Sequence, residues 1–192
     1  MTPRILAFAG SLRKDWFNKK LVKIAAQAAE AEGAEVQVID LADFPLPLFD
    51  EDLEKRDGPP AHATKLKELM KAAHGFLLAC PEYNSSITAV LKNAIDWASR
   101  PAPNEPGLAA FHGKAAVLMA ASPGALGGLR GLVTVRSILG NIGVVVLPDQ
   151  MAIMQAHDAF GADGRLKFDK QQAGIENLGR KLTAFLKKHV AS

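Results

Sequence analysis

Two periods of apolar and polar positions alternate along this chain. Ile5-Leu6-Ala7-Phe8-Ala9 is an unbroken apolar run, as expected of a strand covered on both faces. Leu21, Ile24, Ala25 and Ala28 then recur at helical spacing until Gly33 stops the helix. Glu35-Val36-Gln37-Val38 alternates polar with apolar, which predicts a more exposed strand at a sheet edge. From Phe44-Pro45-Leu46-Pro47-Leu48-Phe49 to Asp57-Gly58-Pro59-Pro60 no period is sustained, which predicts a long surface loop. Leu66, Leu69, Met70 and Ala73 mark a second helix, and Gly75 to Cys80 a buried third strand. Val90, Leu91, Ala94, Ile95 and Ala98 mark a third helix that ends before Pro101. Ala115 to Ala121 predicts a fourth strand, about Gly128 to Leu139 a fourth helix, and Val144 to Leu147 a fifth strand. After an irregular stretch, Ile175, Leu178, Leu182, Phe185 and Leu186 mark the closing helix.

Five strands alternating with five helices imply an α/β fold: a three-layer sandwich with a five-stranded parallel sheet covered by helices on both faces. No internal repeat or linker divides the chain, so residues 1–192 are expected to form one domain.

Composition narrows the function classes. Lys and Arg number 23 against 20 Asp and Glu, a net charge of +3, and the basic residues are scattered. The densest group, Lys187-Lys188-His189, ends a helix, where positive charge complements the dipole. A nucleic-acid surface is therefore not expected. One cysteine excludes an internal disulfide and suits a reducing compartment. No apolar run approaches the ~20 residues needed to cross a bilayer, and the start of the chain has no signal-peptide pattern. These features predict a cytoplasmic protein without a membrane partner. The histidines (62, 74, 112, 157 and 189) follow no ligand spacing, so no metal site is expected. Cys80 ends a buried strand, where a small apolar side chain suits packing.

The candidate chemistry lies in three loops that leave strands one, three and four. In strand order 2-1-3-4-5 these loops converge at the switch point of the sheet, where open α/β folds place ligands. Gly10-Ser11-Leu12-Arg13-Lys14-Asp15-Trp16-Phe17-Asn18 opens a helix. Its free amides, the Ser11 hydroxyl, Arg13 and Asn18 make a phosphate cradle, or else Gly10 shapes a plain turn with Ser11 or Asp15 as a cap. Pro81-Glu82-Tyr83-Asn84-Ser85-Ser86 offers a flat side (Pro81, Tyr83) and main-chain hydrogen-bonding groups around Glu82 to Asn84. Those suit a planar ring with a polar edge; the alternative is a proline-ended strand with Ser85 or Ser86 capping a helix. Ser122-Pro123-Gly124-Ala125-Leu126-Gly127-Gly128 lets backbone approach a ligand closely, or is a flexible connection.

These segments resemble the NADPH-dependent FMN reductase family, flavodoxin-like flavoenzymes that include bacterial quinone and chromate reductases. The resemblance runs through Gly10 to Lys14 with Phe17-Asn18, Pro45 to Asp50, and Pro81 to Ser85 continuing through Leu91-Lys92-Asn93-Ala94-Ile95-Asp96-Trp97 to Ser99-Arg100-Pro101. Ser122, Gly124, Gly127-Gly128 and Arg130 complete it. It implies that Ser11, Arg13 and Asn18 hold an FMN phosphate beside Phe17. It further implies that Pro81, Glu82, Tyr83 and Asn84 line the isoalloxazine, with Ser122 and Gly124 near the flavin from the third loop. The family departs from this chain at Asp15-Trp16, where it carries a small residue and a serine. Trp16 is then expected to pack over the ligand or against a partner subunit.

The resemblance also implies an oxidoreductase. NADPH or NADH delivers hydride to the flavin and leaves. A small-molecule acceptor (a quinone, chromate, an azo compound or free flavin) then enters the same slot, giving ping-pong kinetics. The cofactor supplies the redox chemistry, so no catalytic side chain is named. A homodimer or homotetramer is expected. Two rivals remain beside it. A nicotinamide dehydrogenase of Rossmann type would use Asp40 for a ribose, but its G-x-G-x-x-G turn is missing after Gly10. A flavodoxin-like electron carrier would usually have a hydroxyl-rich phosphate loop and an acidic surface, against the Arg13 and +3 charge found here.

Overall fold

The computed structural model describes residues 1–189, so the last three residues of the expected 1–192 domain lie outside it. In chain order its elements are β1 (Arg4–Ala9), α1 (Phe17–Ala31), β2 (Glu35–Val38), a 3-10 turn (Leu41–Asp43), α2 (Glu51–Asp57), α3 (Ala61–Ala72), β3 (Gly75–Ala79), β4 (Glu82–Tyr83), β5 (Ser86–Ile87), α4 (Ala89–Ala98), β6 (Ala115–Ala121), α5 (Leu129–Asn141), β7 (Val145–Ile153), α6 (Ala156–Ala159) and α7 (Asp169–His189). Five strands pair in parallel in the order β2-β1-β3-β6-β7. With the small antiparallel β4–β5 hairpin set aside, this is the expected flavodoxin-like order 2-1-3-4-5.

The central strands read as featureless apolar runs because both faces are buried, yet their side chains still alternate. Ile5, Ala7, Ala9, Leu77, Ala79, Val117 and Met119 point into one core layer with Leu21 and Ala25 of α1 and Leu178 and Leu182 of α7. Leu6, Phe8, Phe76, Leu78, Cys80 and Leu118 point into the other, against Leu66, Leu91 and Leu132 of α3, α4 and α5. Fully burying one such leucine is worth about 1.5–3 kcal/mol, so each layer firmly fixes the helix that covers it. The α1–α7 crossing is close enough that a methyl group on Gly179 would collide with the Ala25 carbonyl.

Beyond the 3-10 turn, the β4–β5 hairpin and the short α6, the structure departs from the sequence pattern in two places. The long loop after β2 contains α2, whose Asp50 cap accepts from the amides of Asp52 (2.8 Å) and Leu53 (3.4 Å). None of its residues is buried, so no apolar period announces it. The fifth strand does not stop at Leu147. It passes through a bulge and runs on to Ile153, with Val146 opposite Ala116 but Gln150 opposite Leu118. Pro148, which lacks an amide donor, falls within this irregularity on an edge strand, where such a residue is tolerated.

Candidate functional site

The three loops meet above the carboxyl ends of β1, β3 and β6, and they are tied pairwise. The Thr88 hydroxyl, at the start of α4, donates to the Gly10 carbonyl (2.7 Å) and accepts from the Leu91 amide (3.2 Å). Asn18 joins the first loop to the third: its Nδ2 donates to the Ala121 carbonyl (2.8 Å), and its Oδ1 accepts from the Ala121 amide (3.0 Å). The Glu82 carboxylate joins the second loop to α5, accepting from the amides of Arg130 (3.0 Å) and Gly131 (3.3 Å) and from Arg130 Nε (2.8 Å) and Nη2 (2.6 Å).

The first loop bends sharply. Gly10 is required because a Cβ there would lie 2.9 Å from Leu91 Cβ. Ser11 is buried, its Oγ accepting from the Arg13 amide (3.2 Å), while Leu12 to Asp15 are exposed and Asp15 adopts φ 45°. α1 begins behind Trp16, which makes no side-chain cap, and its first turn holds no acidic residue. Its leading amides therefore keep their donor capacity and the positive end of the dipole. The Arg13 guanidinium lies over the Trp16 ring, 3.1 Å from its centroid. Trp16 thus packs against both Arg13 and Phe17, whose ring centroid lies 4.3 Å from its own. Asp15 lines open grooves whose walls also carry Lys20 and Lys23.

The second loop is a β-hairpin. Pro81 is buried, Glu82 pairs with Ile87, and Tyr83 pairs with Ser86. Asn84 (φ 50°) and Ser85 (φ 67°) at its tip both adopt left-handed backbone, the geometry of a tight two-residue hairpin turn. The Tyr83 ring is half exposed at the ledge. In the third loop, Ser122 Oγ accepts from the Gly124 amide (3.2 Å). Gly127 and Gly128 have positive φ, and a Cβ on either would come within 2.7 Å of Ile153 or Ala120. Gly124 has no such constraint: a Cβ there would lie 3.7 Å from Ser122 Oγ.

Three side-chain expectations change. Asn18 is fully buried, and both ends of its amide are bonded to Ala121, so it braces the crevice rather than offering an open phosphate donor. Phe17, expected beside the phosphate, stacks on Phe160 (5.9 Å, 3° between planes) and packs against the α1–α7 core layer, so its ring is held by packing. The cap of α4 is Thr88, not Ser85 or Ser86. A threonine just before an apolar helical run is itself a start signal, so Thr88 was legible in the sequence. The Glu82–Arg130 link was not, because nothing local connects residues 48 positions apart.

The electrostatics follow the same connections. Burial alone would raise the Glu82 carboxyl, but its Arg130 and Gly131 partners outweigh burial and hold it below the usual carboxylate range. Burial pushes the Cys80 thiol up to about 12, so it is inert packing. Asp40 is committed to Lys19 (2.5 Å) and to the Ala42 amide (3.0 Å). Those bonds outweigh its burial and keep its carboxyl low.

Known proteins agree with this geometry. The sequence model described as NADPH-dependent FMN reductase matches residues 3–158. The chain is 37% identical over 174 residues to an NAD(P)H-dependent FMN reductase of Pseudomonas aeruginosa, covering 90% of this chain and 89% of that protein. It is 33% identical over 188 residues to a quinone reductase of Escherichia coli K12, covering 95% and 93%. Among solved structures, the flavoenzyme NAD(P)H:(acceptor) oxidoreductase FerB from Paracoccus denitrificans superposes with a TM-score of 0.81 at 29% identity, covering 98% and 99%. With a family model matching residues 3–158 and relatives at 37% and 33% identity over most of its length, the chain belongs to the NADPH-dependent FMN reductase family.

Proposed function

We propose that this chain is an NAD(P)H-dependent oxidoreductase that binds FMN in the three-loop crevice and passes electrons to quinones or similar small acceptors. The carrying observation is the pairwise tying of the loops by Thr88, Asn18 and Glu82, which leaves the first-loop amides other than those of Gly10 and Arg13 as the open donors between them. Those amides, the Ser11 hydroxyl and Arg13 suit a phosphate dianion. Arg13 must leave Trp16 to reach it. A cation–π contact at an exposed site is worth about 0.5–1 kcal/mol, whereas a hydrogen bond to a charged group is worth about 1.5–3 kcal/mol, so the phosphate wins.

Pro81 and Tyr83 with the main chain from Glu82 to Asn84 take the ring, and Ser122 and Gly124 close the opposite side. When bound, FMN supplies acceptance of a hydride from NADPH or NADH and its onward delivery as two electrons. The chain's residues hold the phosphate, present one face of the ring and keep the ledge rigid. One slot serving both donor and acceptor gives ping-pong kinetics. Chromate, azo compounds and free flavin fall within reach of the same open face.

Leu126, Leu129, Val133 and Tyr83 leave apolar surface exposed around the crevice, which suits burial against further copies of the chain as a homodimer or homotetramer. A single buried cysteine suits the reducing cytoplasm.

Reconstitution decides the matter. Protein mixed with FMN and desalted is expected to retain flavin stoichiometrically, to bleach within seconds under NADPH or NADH, and to recover with a quinone. Retained colour without bleaching would identify an electron carrier instead, and colourless protein would end the flavin reading.

A further inference from the structure

Helix α5 starts without a cap of its own. Its N-cap residue is Gly128, in left-handed backbone with no side chain, and its first turn contains no acidic residue. The acceptors come from another element. Glu82 Oε2 takes the amides of Arg130 and Gly131, the second and third residues of the helix, which are the donors a side-chain cap normally satisfies. Glu82 Oε1 takes Arg130 Nε and Nη2. Each oxygen thus receives two donors, and the Glu82 side chain is only 8% exposed, against 57% for Arg130. Gly131 permits the approach: a Cβ there would lie 3.3 Å from both Glu82 Cβ and the Ser86 carbonyl.

We infer that Glu82 is a positioning residue for the flavin ledge and that its carboxylate sets the local potential by cancelling Arg130 and the α5 N-terminus. The inference rests on the proposed flavin site. Glu82 belongs to the ledge itself, between Pro81 and Tyr83, so the charge balance of its side chain is felt where the ring would lie. Reduction adds negative charge to a flavin. An uncompensated guanidinium and helix N-terminus nearby would favour the reduced form, while an uncompensated carboxylate would oppose it. The two partners therefore have opposite effects, which a purely structural contact would not have.

The test is the two-electron midpoint potential of bound FMN, titrated spectrophotometrically in the wild-type protein, Glu82→Gln, Arg130→Gln and the double variant. Glu82→Gln is expected to raise it by about 30 mV, about a tenfold shift toward reduced flavin. Arg130→Gln is expected to lower it by a comparable amount, and the double variant to return to within about 10 mV of wild type. Both single variants within about 5 mV of wild type, or both shifted in the same direction, would overturn the inference. If Glu82→Gln does not fold, Arg130→Gln decides alone: a lowered potential supports the inference and an unchanged one overturns it. Failure of the wild-type protein to take up FMN would instead overturn the flavin site on which it rests.

Discussion

At the amino ends of the strands, three carbonyls at the close of α3 are bound by cations. Arg4 Nε donates to Ala72 (2.8 Å), and Lys114 Nζ donates to Lys71 (3.0 Å) and to Ala73. Arg4 and His74 exchange bonds there as well: the His74 amide donates to the Arg4 carbonyl (2.7 Å), and the Arg4 amide donates to His74 Nδ1 (3.0 Å). At the carboxyl ends, the same kinds of group are handled differently. Asn18, Thr88 and Glu82 each bind main chain across from one loop to another element, while the leading turn of α1 stays uncapped. One rim is closed to hold the sheet together. The other is braced but left open, as a ligand site requires.

Substitutions at the two rims should therefore fail in different ways. The largest effect is expected from Asn18→Leu, which strands the buried amide and carbonyl of Ala121 and should cost about 2–4 kcal/mol of stability. Urea denaturation measures it, and a loss below about 1 kcal/mol would show that the brace carries little. Arg13→Ala should leave stability within about 0.5 kcal/mol but weaken FMN binding by about 1.5–3 kcal/mol. Fluorescence titration with FMN reads this, and unaltered affinity would remove Arg13 from the cradle.

The last effect concerns the closed rim and appears only with pH. Burial first, and Arg4 second, bring the Lys114 ammonium down to about 8 from an ordinary value of 10.5. The unfolded chain therefore holds that proton more tightly, and between pH 8 and 10.5 it carries more protons than the folded one. Stability should rise with pH across that window, by about 3 kcal/mol from this residue, with no slope from it below the window. Lys114→Met should lack the rise; parallel wild-type and variant profiles would mean that Lys114 titrates normally.

Much of this contrast could be read before the structure. β1, β3 and β6 are buried on both faces, so their apolar runs were unambiguous, and the loops that follow them were conspicuous by composition. α2 was hidden because a helix with no buried residue leaves no apolar stripe. β7 was cut short because Pro148 resembles a strand end when the bulge that accommodates it is unseen. Within the site, residue type pointed to chemistry but not to direction. An asparagine suits a phosphate and a strand end equally well, and only the fold turns Asn18 toward Ala121. Glu82 was read for its main chain, while its carboxylate had already been claimed by a distant helix.

The two crowded glycines of the third loop also bear on how acceptor choice could be redesigned. Positions 127 and 128 admit no side chain without displacing Ile153 or Ala120, whereas Pro123, Gly124, Ala125 and Leu126 all face outward. Variation aimed at bulkier or more polar oxidants belongs at Pro123, Ala125 and Leu126, because Gly124 is proposed to lie against the flavin. A library that randomised the whole loop would mostly return misfolded clones.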